Sequence, residues 1–196
     1  MADLITTAQY KDYEGITAVK EDLRLGQLIP SVSQLVKTYC GNSFVDYYAS
    51  NKTETFNIDW GTHIVQLTES PVVEVSSVKE RASYDGAYET LTTSSQEYYV
   101  DTQTDSIIRT TASGLNKNWP KGVGAVEVIY KAGYSATPTD LKLAVIDLVT
   151  YYLRNEHKER RTLGAASIAN QGKSSLPNNI GFPDHIKRVL DLYKNY

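Results

Sequence analysis

Between Thr53 and Tyr134 the chain breaks into seven short runs rich in β-branched and aromatic residues, while on both sides apolar residues recur at helical spacing. Such runs, separated only by turn signals, leave no room for crossover helices, so they predict antiparallel pairing. The runs are Thr53–Trp60, His63–Leu67, Val72–Glu80, Tyr88–Thr92, Glu97–Asp101, Ile107–Thr110 and Val123–Lys131. Trp60-Gly61, Ser70-Pro71, Tyr84-Asp85-Gly86 and Ser113-Gly114 punctuate them. The fold class expected is therefore α+β: a helical bundle scaffold with an inserted antiparallel β-sheet or small β-sandwich. Residues 1–52 and 133–161 would form the scaffold, 53–132 the insert, and 162–196 a mobile loop and C-terminal helix.

On the N-terminal side a short helix is predicted around Ala8–Tyr13, stopped by Gly15. Thr17 offers a cap for a longer helix to about Tyr39, with Gly41 suited to a left-handed stop. Leu25, Leu28, Val32, Leu35 or Val36, and Tyr39 would share one buried stripe. Pro30 lies inside this pattern and predicts a kink or break, because proline lacks the amide donor and crowds the preceding turn.

After the last strand run, Thr137-Pro138-Thr139-Asp140 reads as a helix start. Thr137 would cap, Pro138 would take the first helical position, and Asp140 would complement the helix dipole. Leu141, Ala144, Val145, Leu148, Val149 and Tyr152 then follow at core-facing spacings, and the helix should end among the basic residues from Arg154 to Arg161. The Thr162–Phe182 stretch, rich in Gly, Ala, Ser, Asn and Gln, is expected to be a long mobile loop. A last helix, Pro183–Tyr193, would carry Ile186, Val189, Leu190 and Tyr193 on one face, a stripe that needs a groove on its own helices or on a neighbour.

Chemistry finds little to gather here. A lone cysteine, Cys40, excludes an intrachain disulfide and reads as a small core residue. His63, His157 and His185 are scattered and none has the spacing of a helical zinc site. Gly172-Lys173-Ser174 ends like a phosphate loop, but Ser167 stands where that loop needs glycine; Glu127 likewise replaces the third glycine of a dinucleotide fragment begun by Gly122 and Gly124. The carboxylates, among them Glu21, Asp22, Asp59, Glu74, Glu97, Asp101, Asp105 and Asp147, are spread singly, so a small hydrolase built on two acids stays an alternative that only the fold can test. No catalytic, cofactor-binding or metal residue is assigned. The net charge of −3 gives no footprint of nucleic-acid binding. No apolar run approaches the roughly 20 residues of a membrane span, and the first residues lack a secretory pattern, so a cytoplasmic product is expected. Fifteen tyrosines against three phenylalanines suit half-buried surfaces closed by a partner, or simply strands. Arg154, Lys158, Arg160 and Arg161 form the one local basic patch, a helix-end face or a docking site for an acidic partner.

Val126-Glu127-Val128-Ile129-Tyr130-Lys131-Ala132-Gly133-Tyr134, followed by Pro138-Thr139-Asp140-Leu141-Lys142-Leu143-Ala144, resembles the head-to-tail connector, or adaptor, proteins of tailed bacteriophages. In that family a strand ending in Tyr-x-Ala-Gly-Tyr leads through a proline turn into the main helix. The Tyr39-Cys40-Gly41 helix end and the strands at Pro71–Val78 and Tyr98–Asp101 extend the likeness over about Leu23 to Tyr152. The resemblance implies a structural subunit without turnover, assembled in the host cytoplasm into the virion neck. It implies rings of about twelve copies that dock on the portal protein, meet the next neck or tail protein and extend the channel, with DNA passing through unread. By position, Ile186, Val189, Leu190 and Tyr193 would face the portal. A downstream neck protein, stopper or tail-completion, is the alternative within the same setting.

Overall fold

The computed structural model describes residues 1–155 and 182–194. They divide into two compact units: residues 1–41 with 137–155 and 182–194, which is helical, and residues 42–136, which holds every described strand.

The helical unit comprises α1 (Thr7–Glu14), α2 (Asp22–Cys40), α3 (Thr139–Leu153) and α4 (Asp184–Asp191). α1 starts with a reciprocal capping box, Thr6 Oγ1 accepting the Gln9 amide while Gln9 Oε1 accepts the Thr6 amide, and Gly15 ends it at φ 68°. α2 departs from expectation at both its start and its middle. Thr17 lies outside it, Glu21 takes the N-cap without a side-chain bond, and Pro30 sits inside an unbroken helix. Pro30 and Gly26, whose carbonyl loses its helical donor, are both solvent-exposed, so water can satisfy the group; one residue on, Ser31 Oγ donates to the Gln27 carbonyl. The buried stripe runs through Leu25, Ile29, Val32, Val36 and Cys40, with Leu28, Leu35 and Tyr39 only half-buried at its border.

α3 is buried at Leu141, Ala144, Val145, Ile146, Leu148 and Val149, more than one stripe, because α2 and α4 both pack on it. Pro138 is its N-cap and no side chain closes its first turn. The expected cap, Thr137, instead donates its hydroxyl to the Leu4 carbonyl at 2.6 Å. Leu4 and Ile5 are themselves buried, held by a bond from the Leu4 amide to Ser33 Oγ and by Lys37 Nζ on the Ala2 carbonyl. This N-terminal strap is a backbone-anchored packing element that apolar periodicity does not reveal.

The β unit contains β1 (Lys52–Ile58), β2 (Ile64–Gln66), β3 (Val72–Glu80), β4 (Glu89–Leu91), β5 (Tyr98–Asp101), β6 (Ser106–Arg109) and β7 (Gly122–Ala132). All seven expected strands are present: β3 keeps its expected bounds, β2, β4 and β5 are shorter by a residue at one or both ends, β1 and β6 are shifted towards the N-terminus, and β7 is longer by a residue at each end. They form a four-stranded sheet in the order β1-β7-β3-β4 and a three-stranded sheet in the order β2-β6-β5, every pairing antiparallel. Both sheets feed one apolar core, Val78, Val126, Val128 and Tyr130 from the larger and Val65 and Ile107 from the smaller, joined by Trp119. The result is a small β-sandwich. β7 alternates over its second half, burying Val126, Val128, Tyr130 and Ala132.

Candidate functional site

Among the described residues no three His, Cys, Asp or Glu side chains converge on a metal position. His63 precedes β2 and lends its carbonyl to the Arg109 amide; His185 is exposed on α4; His157 lies outside the described residues. Cys40 is fully buried, its Sγ 3.5 Å from the Leu190 carbonyl, and burial holds its thiol up at about 12, far from a nucleophile's range.

Carboxylates do meet in the β unit, but on cations and donors of their own fold. Lys52 Nζ lies 2.6 Å from Glu54 and 3.0 Å from Glu69. Glu69 also accepts from the Ser43 amide and hydroxyl, and Glu54 from the Thr68 amide and hydroxyl. The Tyr130 hydroxyl accepts the Glu69 amide at 3.2 Å, and burial pushes its phenol well above the ordinary range. Glu80 accepts from Arg109 Nη2 and Nε at 2.8 and 2.9 Å, while Arg109 Nη1 donates to the Glu97 and Thr110 carbonyls and the guanidinium lies over the Trp119 ring. Glu97 and Asp101 are held below the usual carboxylate range by amides and hydroxyls of their own turns. Burial on α3 raises the Asp147 carboxyl above its ordinary value. Acids whose lone pairs are committed to local donors stabilise a loop or strand end; they offer no paired acid and base across a cleft.

The strand-to-helix passage is built around one close approach. Gly133 has φ 100°, and a Cβ there would lie 1.9 Å from the Phe44 carbonyl oxygen. The Gly133 amide donates to the Pro71 carbonyl and the Tyr134 amide to that of Phe44, so the chain leaves β7 through two bonds to loops of the same unit. Only glycine allows this path.

The stripe on α4 finds its groove on the chain's own helices. Ile186 and Leu190 are buried, Val189 is half-buried, and the Tyr193 hydroxyl donates to Asp140 on the first turn of α3 at 2.6 Å. Tyr39 closes the other side, edge-on to the buried Phe182 and bonded to Asp191. Ile186 and Leu190 are thus internal to this unit, whereas Leu192, the C-cap of α4, is 79% exposed. Of the basic patch only Arg154 is described. It is exposed, with its guanidinium 3.9 Å from Glu14, and Lys158, Arg160 and Arg161 lie outside the described residues.

Two surface features of the β unit escape a sequence reading. Arg81 is stacked between Tyr84 and Tyr88 and donates to the carbonyls of Tyr84, Val123 and Gly124, so a single cation stiffens the loop beyond β3. On the smaller sheet an open groove of about 590 Å³ runs beside β5, walled by Tyr98, Tyr99, Val100, Ile108, Gln96 and Asn116 among others, with no Asp, Glu, Lys, Arg or His in its lining. Successive strand residues point to opposite faces, so a groove touching three in a row follows the edge of the strand and not one face. β5 is indeed an edge strand.

Among the described residues, the carboxylates and cations gathered in the β unit serve the fold of that unit. The profile of the head completion protein family matches residues 3–196. The chain belongs to that family of phage head-to-tail connector proteins, as the Tyr130–Ala144 resemblance implied. The head completion protein of Escherichia phage T5 is 30% identical over 80 residues, 41% of this chain and 44% of that protein, so the match spans less than half of the curated relative. Two solved structures share the fold. One is a chain in the neck of an empty GTA particle computed with C6 symmetry, with a TM-score of 0.58 and 17% identity over 98% of this chain and 90% of that one. The other is in the neck of a native GTA (gene transfer agent) particle computed with C12 symmetry, with a TM-score of 0.56 and 16% identity over 100% and 96%.

Proposed function

We propose that this chain is a structural subunit of the virion neck, an adaptor that assembles with copies of itself into a ring, docks on the portal and joins the DNA-filled head to the tail. The observation that carries the reading is the family match over nearly the whole chain, residues 3–196. Neck particles computed with C12 and C6 symmetry contain chains of this fold, which supports a ring, twelvefold being the natural choice. Rings use heterologous contacts, one face of each subunit fitting a different face of the next. The role is binding and assembly without turnover. A net charge of −3 suits a wall past which DNA slides without being gripped.

Portal docking we assign to the end of the helical unit that bears α4 and to the basic patch of Arg154, Lys158, Arg160 and Arg161. Ile186 and Leu190 would serve it from within, by seating α4, and Leu192, Val189 and Tyr193 would offer the contact. The test is size measurement of the purified chain with portal rings. The chain should move from its free position to co-elute with the portal at ring stoichiometry; a chain that never associates with portal overturns the reading.

A further inference from the structure

The four sheet edges of the β unit are unequally protected. β1 presents Lys52 and Glu54 and has its register broken between Phe56 and Ile58. β4 is three residues long and begins at Glu89. β2 is three residues long, and the Thr62 hydroxyl holds both the amide and the carbonyl of Ile64, at 3.2 and 3.1 Å. Charges, short length and borrowed caps are the devices that keep an edge from pairing with a foreign strand. β5 reads Tyr98-Tyr99-Val100-Asp101, and its one charge, at the far end, is occupied by the Gln103 amide and the Thr104 hydroxyl. Its outer backbone edge therefore runs beside the uncharged groove with residues of the strongest strand preference, Tyr98 and Val100 half-buried against the core and Tyr99 exposed.

Outside the edge, the same sheet displays an apolar row. Tyr99 pairs with Ile108 and Ile108 with Ile64, so the three share one face, opposite the core side occupied by Ile107 and Val65. Tyr99 is 60% exposed and Ile64 43%. A strand laid along β5 would continue that row by one position.

We propose that the free edge of β5 receives an extended, uncharged segment of a different polypeptide, which pairs with Tyr98–Val100 as a fourth strand of the smaller sheet. The proposal rests on the neck reading, since assembly is what brings such a segment to the surface. Main-chain pairing supplies the attraction, and side-chain alternation supplies the selection. The residue of the incoming strand beside Tyr99 and Ile108 is aromatic or β-branched, because a charged one would be stripped of water against a lining that offers it no counter-charge. A second copy of this chain is the poorer occupant. Among the described residues its other edge strands carry charges, as β1 and β4 do, or have their outward groups held already, as β2 does, and β5 meeting β5 would be an isologous contact, which a head-to-tail ring does not make.

The test uses assembled particles. Mass spectrometry of purified necks first asks whether the unaltered chain is present; its absence overturns the neck reading and this proposal together. With the chain present, Tyr99 is replaced by the photo-crosslinking residue p-benzoylphenylalanine, particles are irradiated, and the adduct is sequenced. The expected adduct is an uncharged stretch of a different chain. An adduct on a second copy, on a charged stretch, or on no other chain overturns the proposal while leaving the neck reading intact. In parallel, Tyr99→Lys, whose exposed site should leave the melting temperature of the isolated chain unchanged, is expected to lower the yield of complete particles about tenfold or more. A folded Tyr99→Lys variant that assembles at native yield overturns it as well.

Discussion

One backbone carbonyl decides what can stand at position 133. A methyl group on Gly133 would meet the Phe44 oxygen at 1.9 Å, and the φ of 100° is itself strained for any L side chain. Neither partner of that clash is a flexible side chain, so relief requires moving the loop or the end of β7. Gly133→Ala is therefore expected to destabilise the β unit by about 2–4 kcal/mol in urea denaturation, where strain and overpacking add. The Glu80–Arg109 pair makes a second residue-scale case. Both side chains are nearly closed to solvent, at 10% and 4% exposure, and Arg109→Met would strand a carboxylate with only Lys117, 3.9 Å away, to answer it. A loss of about 3–5 kcal/mol should follow. Replacing both partners, as in Glu80→Leu with Arg109→Met, should recover much of that loss, since no uncompensated charge is left behind. A double variant as unstable as the single would show that the carbonyl bonds of Arg109, and not its ion pair, carry its value.

At the scale of elements, α4 shows how a short helix stays in place. Eight residues are too few to be helical alone, so α4 depends on burying Ile186 and Leu190 and on the bond from Tyr193 to Asp140. That bond, foremost, holds the Asp140 carboxyl below the usual range. A carboxyl depressed in the folded state stabilises it above the unfolded pKa of about 3.9 and loses that contribution as pH falls through the folded value. Tyr193→Phe should accordingly cost about 0.5 kcal/mol at neutral pH, discounted for solvent exposure, and the gap between variant and native should close in melts below about pH 4. A gap that persists at low pH would mean that the ring's packing, not its hydroxyl, is what was disturbed. α2 makes the complementary point: Pro30 does not break it, because the helix turns that position outward, where water can reach the orphaned carbonyl.

For the whole molecule, the division into a helical unit and a β-sandwich separates two kinds of surface. Portal docking is proposed for α4 and its neighbours, and truncation is a poor probe of it. Deleting Pro183 onward removes Ile186 and Leu190, each about 2–5 kcal/mol of core, and would unfold the unit it was meant to test. Leu192→Asp is the cleaner variant: it should change stability by no more than about 0.5 kcal/mol and weaken portal co-elution; unaltered binding would place the contact elsewhere on the unit. The sequence by itself determined the α+β class, all seven strands, the four helices and the glycines that end α1 and α2, because these follow from side-chain period and backbone freedom within a few residues of each other. It also determined family membership through the Tyr130–Ala144 passage. Tertiary structure alone decided that Ile29 and Cys40, not Leu28 and Tyr39, complete the α2 stripe, that Thr137 bonds the N-terminal strap in place of capping α3, that α4 has its groove within the chain, and that β5 is the edge left bare. Each of these depends on which segments meet across more than a hundred residues or across a sheet, and neither spacing nor composition encodes a neighbour.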